Sequence, residues 1–322
     1  MTGAEPTVVV IAVNYNQDQY TVDCIRSVLK SNYNNYHVIL VDNGSRQDIL
    51  QYITNNLDTD TTLTIEVLPE NLGYVGGINY GLAAGGKFNP DYYLIMNNDT
   101  LIDSDSMSEL VKVAEKYNGK AIVSGKVYHY DDKDTLQYIG QSIDPNGGLN
   151  QTSIVKNARE KDIGQYEEEM EMGMLDDIFW LMPSSLYKEI GGYSEYFFLY
   201  GEQNDYAFRA KKEGYKLIYT PKAKLWHKGG VSTCDGDHKS PKIEYWTSMA
   251  ALKLAVLYLP EKEARKFCFR WPLLKFLKAI VLLVQGKTGL ANIKAIVLAR
   301  RHFKCWNIIR YKDNGYNPFN QL

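Results

Sequence analysis

The chain has 322 residues, 45% apolar and 23% charged, with a formal net charge of −2. That is an ordinary globular composition with core enough for one large domain or two modest ones. Four scattered cysteines (Cys24, Cys234, Cys268, Cys305), none in a CxxC pair, argue against a disulfide framework or a zinc site and suit a reducing compartment. The apolar stretch at 8–13 is too short for a signal peptide and reads as a strand, and no run reaches the roughly 18 apolar residues of a membrane span. From Ser240 to the end there are 15 Lys/Arg against 4 Asp/Glu, so a basic tail follows an acidic body and points to a polyanionic partner. Tyrosine is abundant, at 25, but most of these rings fill ordinary cores and interfaces.

In chain order, residues 7–13 form a β-branched run, read as a buried strand. Residues 19–30 have helical spacing through Val22, Ile25, Val28 and Leu29. A second strand at 37–41 ends on Asp42-Asn43-Gly44-Ser45. Helix at 47–56, strand at 62–68 and a glycine-rich helix at 73–84 follow. A strand at 92–96 ends on Asn97-Asn98-Asp99, then come a helix at 104–117 and a strand at 121–128. Strands alternating with helices predict an α/β, Rossmann-like, mainly parallel sheet flanked by helices. Residues 130–176 are polar and acidic and read as a loop-rich insertion. Beyond Pro241 the chain reads as helical, with breaks near Pro260, Pro272 and Gly286.

Ligands of an open parallel sheet bind outside the carboxyl ends of its strands. Three polar clusters fall there: Asn14-Tyr15-Asn16, Asp42-Asn43 and Asn97-Asn98-Asp99. Asp42 suits a nucleobase N–H or a ribose hydroxyl; an Asx turn with Gly44 and Ser45 is the plainer alternative. Asp99 sits where a diphosphate would need a hard divalent cation; the alternative is a helix N-cap ahead of the 104–117 helix, a task that Ser104 or Asp103 would suit better. Asn71 to Asn79 lets backbone approach a ligand and opens a helix whose amino end favours anions. Gly81–Lys87 and Gly286–Thr288 are near misses to a P-loop.

Further on, Gly201-Glu202-Gln203-Asn204-Asp205 precedes Arg209 and then Trp226-His227. Together VNYN at 13–16, VDNGS at 41–45, NLGYVGG at 71–77, NND at 97–99, FLYGEQND at 198–205 and LWH at 225–227 resemble the inverting family 2 glycosyltransferases, which have a GT-A fold. The likeness spans roughly residues 7–250 and favours the rhamnosyltransferase-like branch. It implies a nucleotide-sugar donor, dTDP-rhamnose or a UDP-sugar, held by Asn14, Asn16, Asp42, Asn43, Gly73, Gly76, Asn79 and Asn98. It implies Mg2+ or Mn2+ on Asp99, with Asn97 and His227 alongside; a structural histidine beside Trp226 is the even alternative. A carboxylate would take the acceptor's proton. The usual motif has two adjacent acids, but position 203 is Gln, which leaves Glu202 as the base with Asp205 behind it. Arg209 would meet the acceptor, and Trp180 either stacks on a sugar face or fills the core.

The expected division is a GT-A domain at 1–240 and a basic, mostly helical extension at 241–322. In the extension, Phe276, Leu277, Ile280 and Val284 share one helical face, and Lys294, Arg301 and Lys304 another. This suits a helix on an anionic membrane surface, with packing on the domain or on a second subunit of a homodimer as the alternative. The reading is a cytoplasmic enzyme, peripheral at the inner face of the cell membrane, acting on a growing, lipid-linked glycan and binding no nucleic acid. A nucleotidyltransferase is disfavoured because residues 13–18 carry no Lys or Arg. The non-enzymatic rival is a glycan-binding relative that lost its base at position 203.

Overall fold

The computed structural model describes residues 5–58, 62–143, 149–157, 159–229 and 240–320. Cys234, Gly230 and parts of the 130–176 segment lie outside them; Cys24, Cys268 and Cys305 are free thiols. The elements run β1 (Val8–Asn14), α1 (Gln19–Val28), β2 (Tyr36–Asn43), α2 (Gln47–Asn56), β3 (Leu63–Leu68), α3 (Gly73–Gly85), β4 (Tyr92–Asn97), β5 (Thr100–Ile102), α4 (Ser106–Lys116) and β6 (Ala121–His129). Short strands β7 (Thr135–Tyr138), β8 (Gln141–Ile143), β9 (Gln151–Ser153), β10 (Glu160–Lys161) and β11 (Met170–Glu171) follow. Then come β12 (Phe179–Pro183), α5 (Ser184–Ile190), α6 (Glu202–Lys212), β13 (Lys216–His227), α7 (Pro241–Tyr258), α8 (Glu261–Val284) and α9 (Leu290–Ile309).

Strands β3, β2, β1 and β4 are parallel neighbours in that order. Every residue of β1 is buried, as its unbroken β-branched run requires of a strand covered on both faces. Register brings Asn14 level with Asp42 and Val13 level with Asn97, so the polar clusters share one sheet edge. Helix α1 buries Val22, Ile25 and Val28 on one face, and α2 buries Ile49 and Ile53.

Helix α3 lies on the opposite face of the sheet at unusually close range. An added Cβ would stand 2.6 Å from Val13 at Gly77, 2.5 Å from Ile11 at Gly81 and 3.0 Å from Val9 at Gly85. The i, i+4, i+8 spacing puts all three glycines on one side of the helix. They let the helix backbone rest directly on the side chains of β1, which answers the P-loop near miss at Gly81.

The sheet is mixed rather than mainly parallel. Strand β12 runs antiparallel to β4 and to β6 and joins the two halves of the sheet. Strand β13 then lies parallel to β6 with a bulge between Thr220 and Lys224. The 130–176 segment also contributes to the sheet: β7 and β10 extend it beyond β6, and β11 pairs with β13. The buried Lys126 fastens it, donating to Asp162 at 2.8 Å and also to Glu167; Tyr128 Oη donates to Asp162 at 2.6 Å.

The C-terminal helices build a further core. Tyr245, Trp246, Met249 and Leu252 of α7 pack against Ala295, Ala299, Phe303 and Trp306 of α9. Ala250 and Leu254 of α7 join the core on the α3 side of the sheet. The buried Lys253 donates to Asp313 and to the Tyr196 carbonyl, each at 2.6 Å, and its burial lowers its pKa. Pro260 and Gly286 bound α8, but Pro272 does not break it. A proline removes a single helical hydrogen bond, and strong helix formers on both flanks carry α8 through.

Replacing Gly81 by Ala should destabilise the protein by about 1–3 kcal/mol, although alanine gains roughly 1 kcal/mol in helix propensity. The new methyl meets Ile11 at 2.5 Å, and the midpoint of urea unfolding reads the loss.

Candidate functional site

Asp42 is buried at the end of β2, where Asn14 Nδ2 donates to its Oδ2 at 2.9 Å and the Ser45 amide to its Oδ1 at 3.0 Å. Asn14 is itself fully buried; its Oδ1 accepts from Asn98 Nδ2 at 3.0 Å and Thr21 Oγ1 at 2.9 Å. Asn14 is therefore a positioning group behind Asp42, and the half-buried Asn98 braces Asn14 and Thr21 through its Nδ2. Asn16, left-handed at φ 56°, takes Ser45 Oγ on its amide and holds the Arg46 amide with its side chain. Asn43 is tied to Leu72 N at 3.0 Å and to the Gly73 carbonyl at 2.9 Å, so it fixes the turn before α3.

The amino end of α3 is not an open anion cradle. Asn71 Oδ1 accepts the Gly73 amide at 2.8 Å, and the Phe198 carbonyl covers Val75 N at 3.5 Å. An added Cβ on Gly73, at φ +75°, would strike the Phe198 ring; one on Gly76 would strike Leu72. Asn79 spends its amide on Tyr193, donating to the carbonyl at 2.9 Å and accepting from the N–H at 2.7 Å. It secures the 190s loop and is not available to a donor.

On the same edge, β13 delivers His227 beside β5, opposite Thr100. His227 Nε2 stands 3.3 Å from Asp99 Oδ1. Gln137 Oε1, an obligate acceptor, lies 2.6 Å from Nδ1, so Nδ1 carries a proton, and in the neutral ring the Nε2 lone pair is on the side of Asp99. Holding a ligating imidazole by its other N–H is the usual arrangement at metal sites. Asn97 turns its amide nitrogen to His227 at 3.4 Å and its oxygen to Tyr74 Oη, also at 3.4 Å, so as placed it is not an oxygen ligand. Among the described residues no group of three His, Cys, Asp or Glu could hold a metal alone. The Asp99–His227 pair supplies two donors of the right kind, the rest falling to a ligand's oxygens.

Glu202 opens α6 after two left-handed residues, Tyr200 at φ 69° and Gly201 at φ 92°. A non-glycine residue in that region stores strain of the order of 1 kcal/mol or more, as functional turns often do. The turn drives the Glu202 carboxyl inward: it is buried, and Oε2 has no hydrogen-bond partner among the described residues. Burial, then the charge of Asp177, push its pKa well above the ordinary carboxylate value. Asp177 is raised to about 7, first by burial and then by Asp176. Tyr193 Oη donates to Asp177 at 2.8 Å, and Tyr74 bonds to it from the other side. A relay of polar contacts thus runs from Asp99 through His227, Asn97 and Tyr74 to Asp177, beside Glu202.

Asp205 is committed elsewhere: Arg209 Nε donates to it at 2.8 Å and Tyr258 Oη at 2.5 Å. Arg209 is spent as well, donating to the carbonyls of Ile190 at 2.9 Å and Gly192 at 2.7 Å, so it braces the 190s loop and does not meet an acceptor. Trp180 is 0% exposed and packs against Tyr193 and Tyr206, which rules out a sugar-stacking face. A cleft of about 340 Å³ opens at Gly201 and Gln203, the chain neighbours of Glu202, and is lined further by Tyr200, Thr247, Phe267 and Trp271 among others; the Glu202 side chain is not part of its lining. Sequence reasoning missed Asp176, Asp177, Tyr193 and Gln137. The Asp176-Asp177 pair just ahead of β12 was the available signal, but in a parallel strand it would stand at the wrong edge.

The "Glycosyl transferase family 2" profile matches residues 7–191. An "uncharacterized glycosyltransferase" of Haemophilus influenzae is 29% identical over 111 residues, covering 34% of this chain and 33% of that protein. The chain thus spans about a third of the length of that curated relative. The N-acetylglucosaminyl-diphospho-decaprenol L-rhamnosyltransferase of Mycobacterium tuberculosis is 23% identical over 250 residues, 70% of this chain and 76% of that one. A mannosyltransferase from Pyrobaculum calidifontis, solved with GDP-Man and Mn2+, superposes with a TM-score of 0.57 at 14% identity, covering 95% of this chain and 84% of its own. GalNAc-T7, solved with UDP, GalNAc and Mn2+, gives 0.55 at 15% identity over 81% of this chain and 54% of its own. These likenesses to solved structures establish the GT-A fold, and the profile, which matches more than half of the residues, makes this chain a member of glycosyl transferase family 2.

Proposed function

We propose that the protein transfers a sugar, with inversion, from a nucleotide-sugar donor to a hydroxyl of a growing, lipid-linked glycan. The observation that carries this reading is the buried carboxyl of Glu202, whose Oε2 has no hydrogen-bond partner among the described residues, on the same edge as the Asp99–His227 pair. The donor would be dTDP-rhamnose or a UDP-sugar, a choice supported by the mycobacterial rhamnosyltransferase likeness.

Asp42, held by Asn14 and Ser45, accepts hydrogen bonds from the nucleoside. Asp99 and His227 Nε2 would hold Mn2+ or Mg2+, which when bound offsets the charge gathering on the departing diphosphate. Imidazole favours Mn2+ of the two. The acceptor enters through the cleft lined by Gln203 and Trp271. Its hydroxyl oxygen bonds to the anomeric carbon as the bond to the diphosphate oxygen breaks on the opposite face, and the hydroxyl proton passes to Glu202. Burial makes Glu202 a stronger base than an exposed carboxylate, at the cost of a smaller ionised fraction. Asp205 and Arg209 hold the scaffold of that helix, and Gln203 has no basic lone pair to offer.

Glu202→Gln should lower transfer by roughly 10²–10⁴-fold while thermal stability stays level or rises, since a buried group that burial and Asp177 make costly to ionise is removed. Product formation from a panel of nucleotide sugars with Mn2+, alongside thermal unfolding, checks both; unchanged turnover would remove Glu202 from the role. In the wild type, activity should fall on the acid side with an inflection above the ordinary carboxylate range, because the raised pKa keeps Glu202 protonated there.

Asp177 gives a second pH signature. Its folded pKa of about 7 exceeds the ordinary aspartate value of 3.8, so between those values the folded state holds more protons than the unfolded one. Stability is therefore lost as pH rises through that window. Asp177→Asn, which still accepts from Tyr193, should be more stable than wild type at pH 8 by on the order of 2 kcal/mol, and the difference should vanish toward pH 4. Urea denaturation at the two pH values measures it.

A further inference from the structure

Helix α8 is two-sided. One side buries Ala264, Pro272 and Ala279 against the rest of the chain, and Lys275 on that side pairs with Glu244 of α7. The other side carries Phe269, Leu273, Leu277, Ile280, Val281 and Val284, all exposed, Val284 at 83%. Steps of three and four residues along Leu273–Val284 place them in one stripe. Solvent-facing apolar stripes of this length mark an interaction surface.

The charges around the stripe say what the surface meets. From Ala264 to Lys312 the chain has twelve Lys/Arg and not one Asp or Glu. Lys266 and Arg270 continue the stripe toward the amino end of α8, and Lys278 flanks it; all three are exposed. On α9, which packs on α8, the exposed side bears Lys294, Arg301 and Lys304 beside Val297 and Ile308. A second copy docked stripe to stripe would bring like charges together with no acidic partner in either segment. A bilayer with anionic headgroups accepts both parts of the pattern, apolar side chains at the acyl boundary and lysines or arginines at the phosphates. Among the described residues no helix is long and apolar enough to cross a membrane, so the contact lies along the surface.

We propose that the outer face of α8 docks in the headgroup boundary of an anionic lipid bilayer, with the basic face of α9 beside it. Phe267 and Trp271 of the same helix line the cleft next to Glu202. On the glycosyl-transfer reading, docking therefore brings that cleft to the headgroup plane, where a lipid-borne acceptor presents its sugar.

The test is cosedimentation of the full chain with vesicles of phosphatidylcholine plus phosphatidylglycerol, against phosphatidylcholine alone. It requires no donor or acceptor, so it succeeds or fails independently of the transferase reading. Binding should favour the anionic vesicles by about tenfold or more and weaken with salt. Leu277→Glu with Val281→Glu should abolish it, and Lys266→Ala with Lys278→Ala should reduce the anionic preference. These side chains are exposed, and unchanged thermal unfolding of each variant shows that the fold is intact. The proposal is overturned if wild type fails to sediment with anionic vesicles or if the double-Glu variant binds as wild type does. It is equally overturned if the full chain is a dimer in size-exclusion chromatography that the double-Glu variant splits, for then a second copy owns the face.

Discussion

Strand β12 carries the architecture because, among the described residues, it is the only bridge between the two halves of the large sheet. On one side it pairs with β4 from Phe179–Met96 to Pro183–Tyr92; on the other, Leu181 meets Val123 of β6. It runs against both neighbours, so its first residues, not its last, arrive at the edge where the parallel strands end. The Asn97 amide donates to the Ile178 carbonyl at 2.9 Å, and Asp177 stands one residue further along that edge. A single reversed strand thus brings Asp99, His227 and the Asp176–Asp177 pair to one rim.

That rim holds negative charge in a place that disfavours it. Glu202, Asp177 and Asp176 are pushed toward their protonated forms by burial, and each one's charge raises the cost of the next. Two tyrosine hydroxyls on Asp177 and the amino end of α6 near Glu202 offset only part of this. The fold tolerates the remainder because its surroundings are tightly fixed. Arg209 ties Asp205 to the 190s loop, Asn79 ties that loop to α3, and the glycine stripe seats α3 on the sheet. Removing any of these would let the acids separate and take up water, and the basicity of Glu202 would fall with them.

Much of this was readable from the chain and some was not, for physical reasons. β-Branched runs and helical spacing located β1, β2, α2 and β4 to within a residue or two, because those patterns depend on local burial alone. Edge placement of Asp42 and Asp99 followed from strand direction in the parallel half. Asp177 was not legible because its position depends on the direction of β12, which is set by the return path through 130–176 and leaves no local trace. Trp180, Asn79 and Arg209 were misassigned for a related reason. An indole, an amide and a guanidinium look alike in sequence whether they face a ligand or satisfy a neighbouring loop, and only the distances separate the two.

The C-terminal helices extend the same logic to the surface. Helix α7 is anchored from within: Lys253 reaches the Tyr196 carbonyl and Asp313, clamping the aromatic run before Glu202 between the body and the final segment. The Cβ that Gly315 lacks would strike Phe198, the residue whose ring also lies over Gly73. Phe198 is therefore gripped between the turn that opens α3 and the end of the chain. Burying a lysine there is costly unless its partners are fixed, and the geometry fixes them by packing the tail onto the loop that aims Glu202. The extension is thus part of the structure that holds the site, while the outward side of α8 is left with apolar groups that the body does not cover.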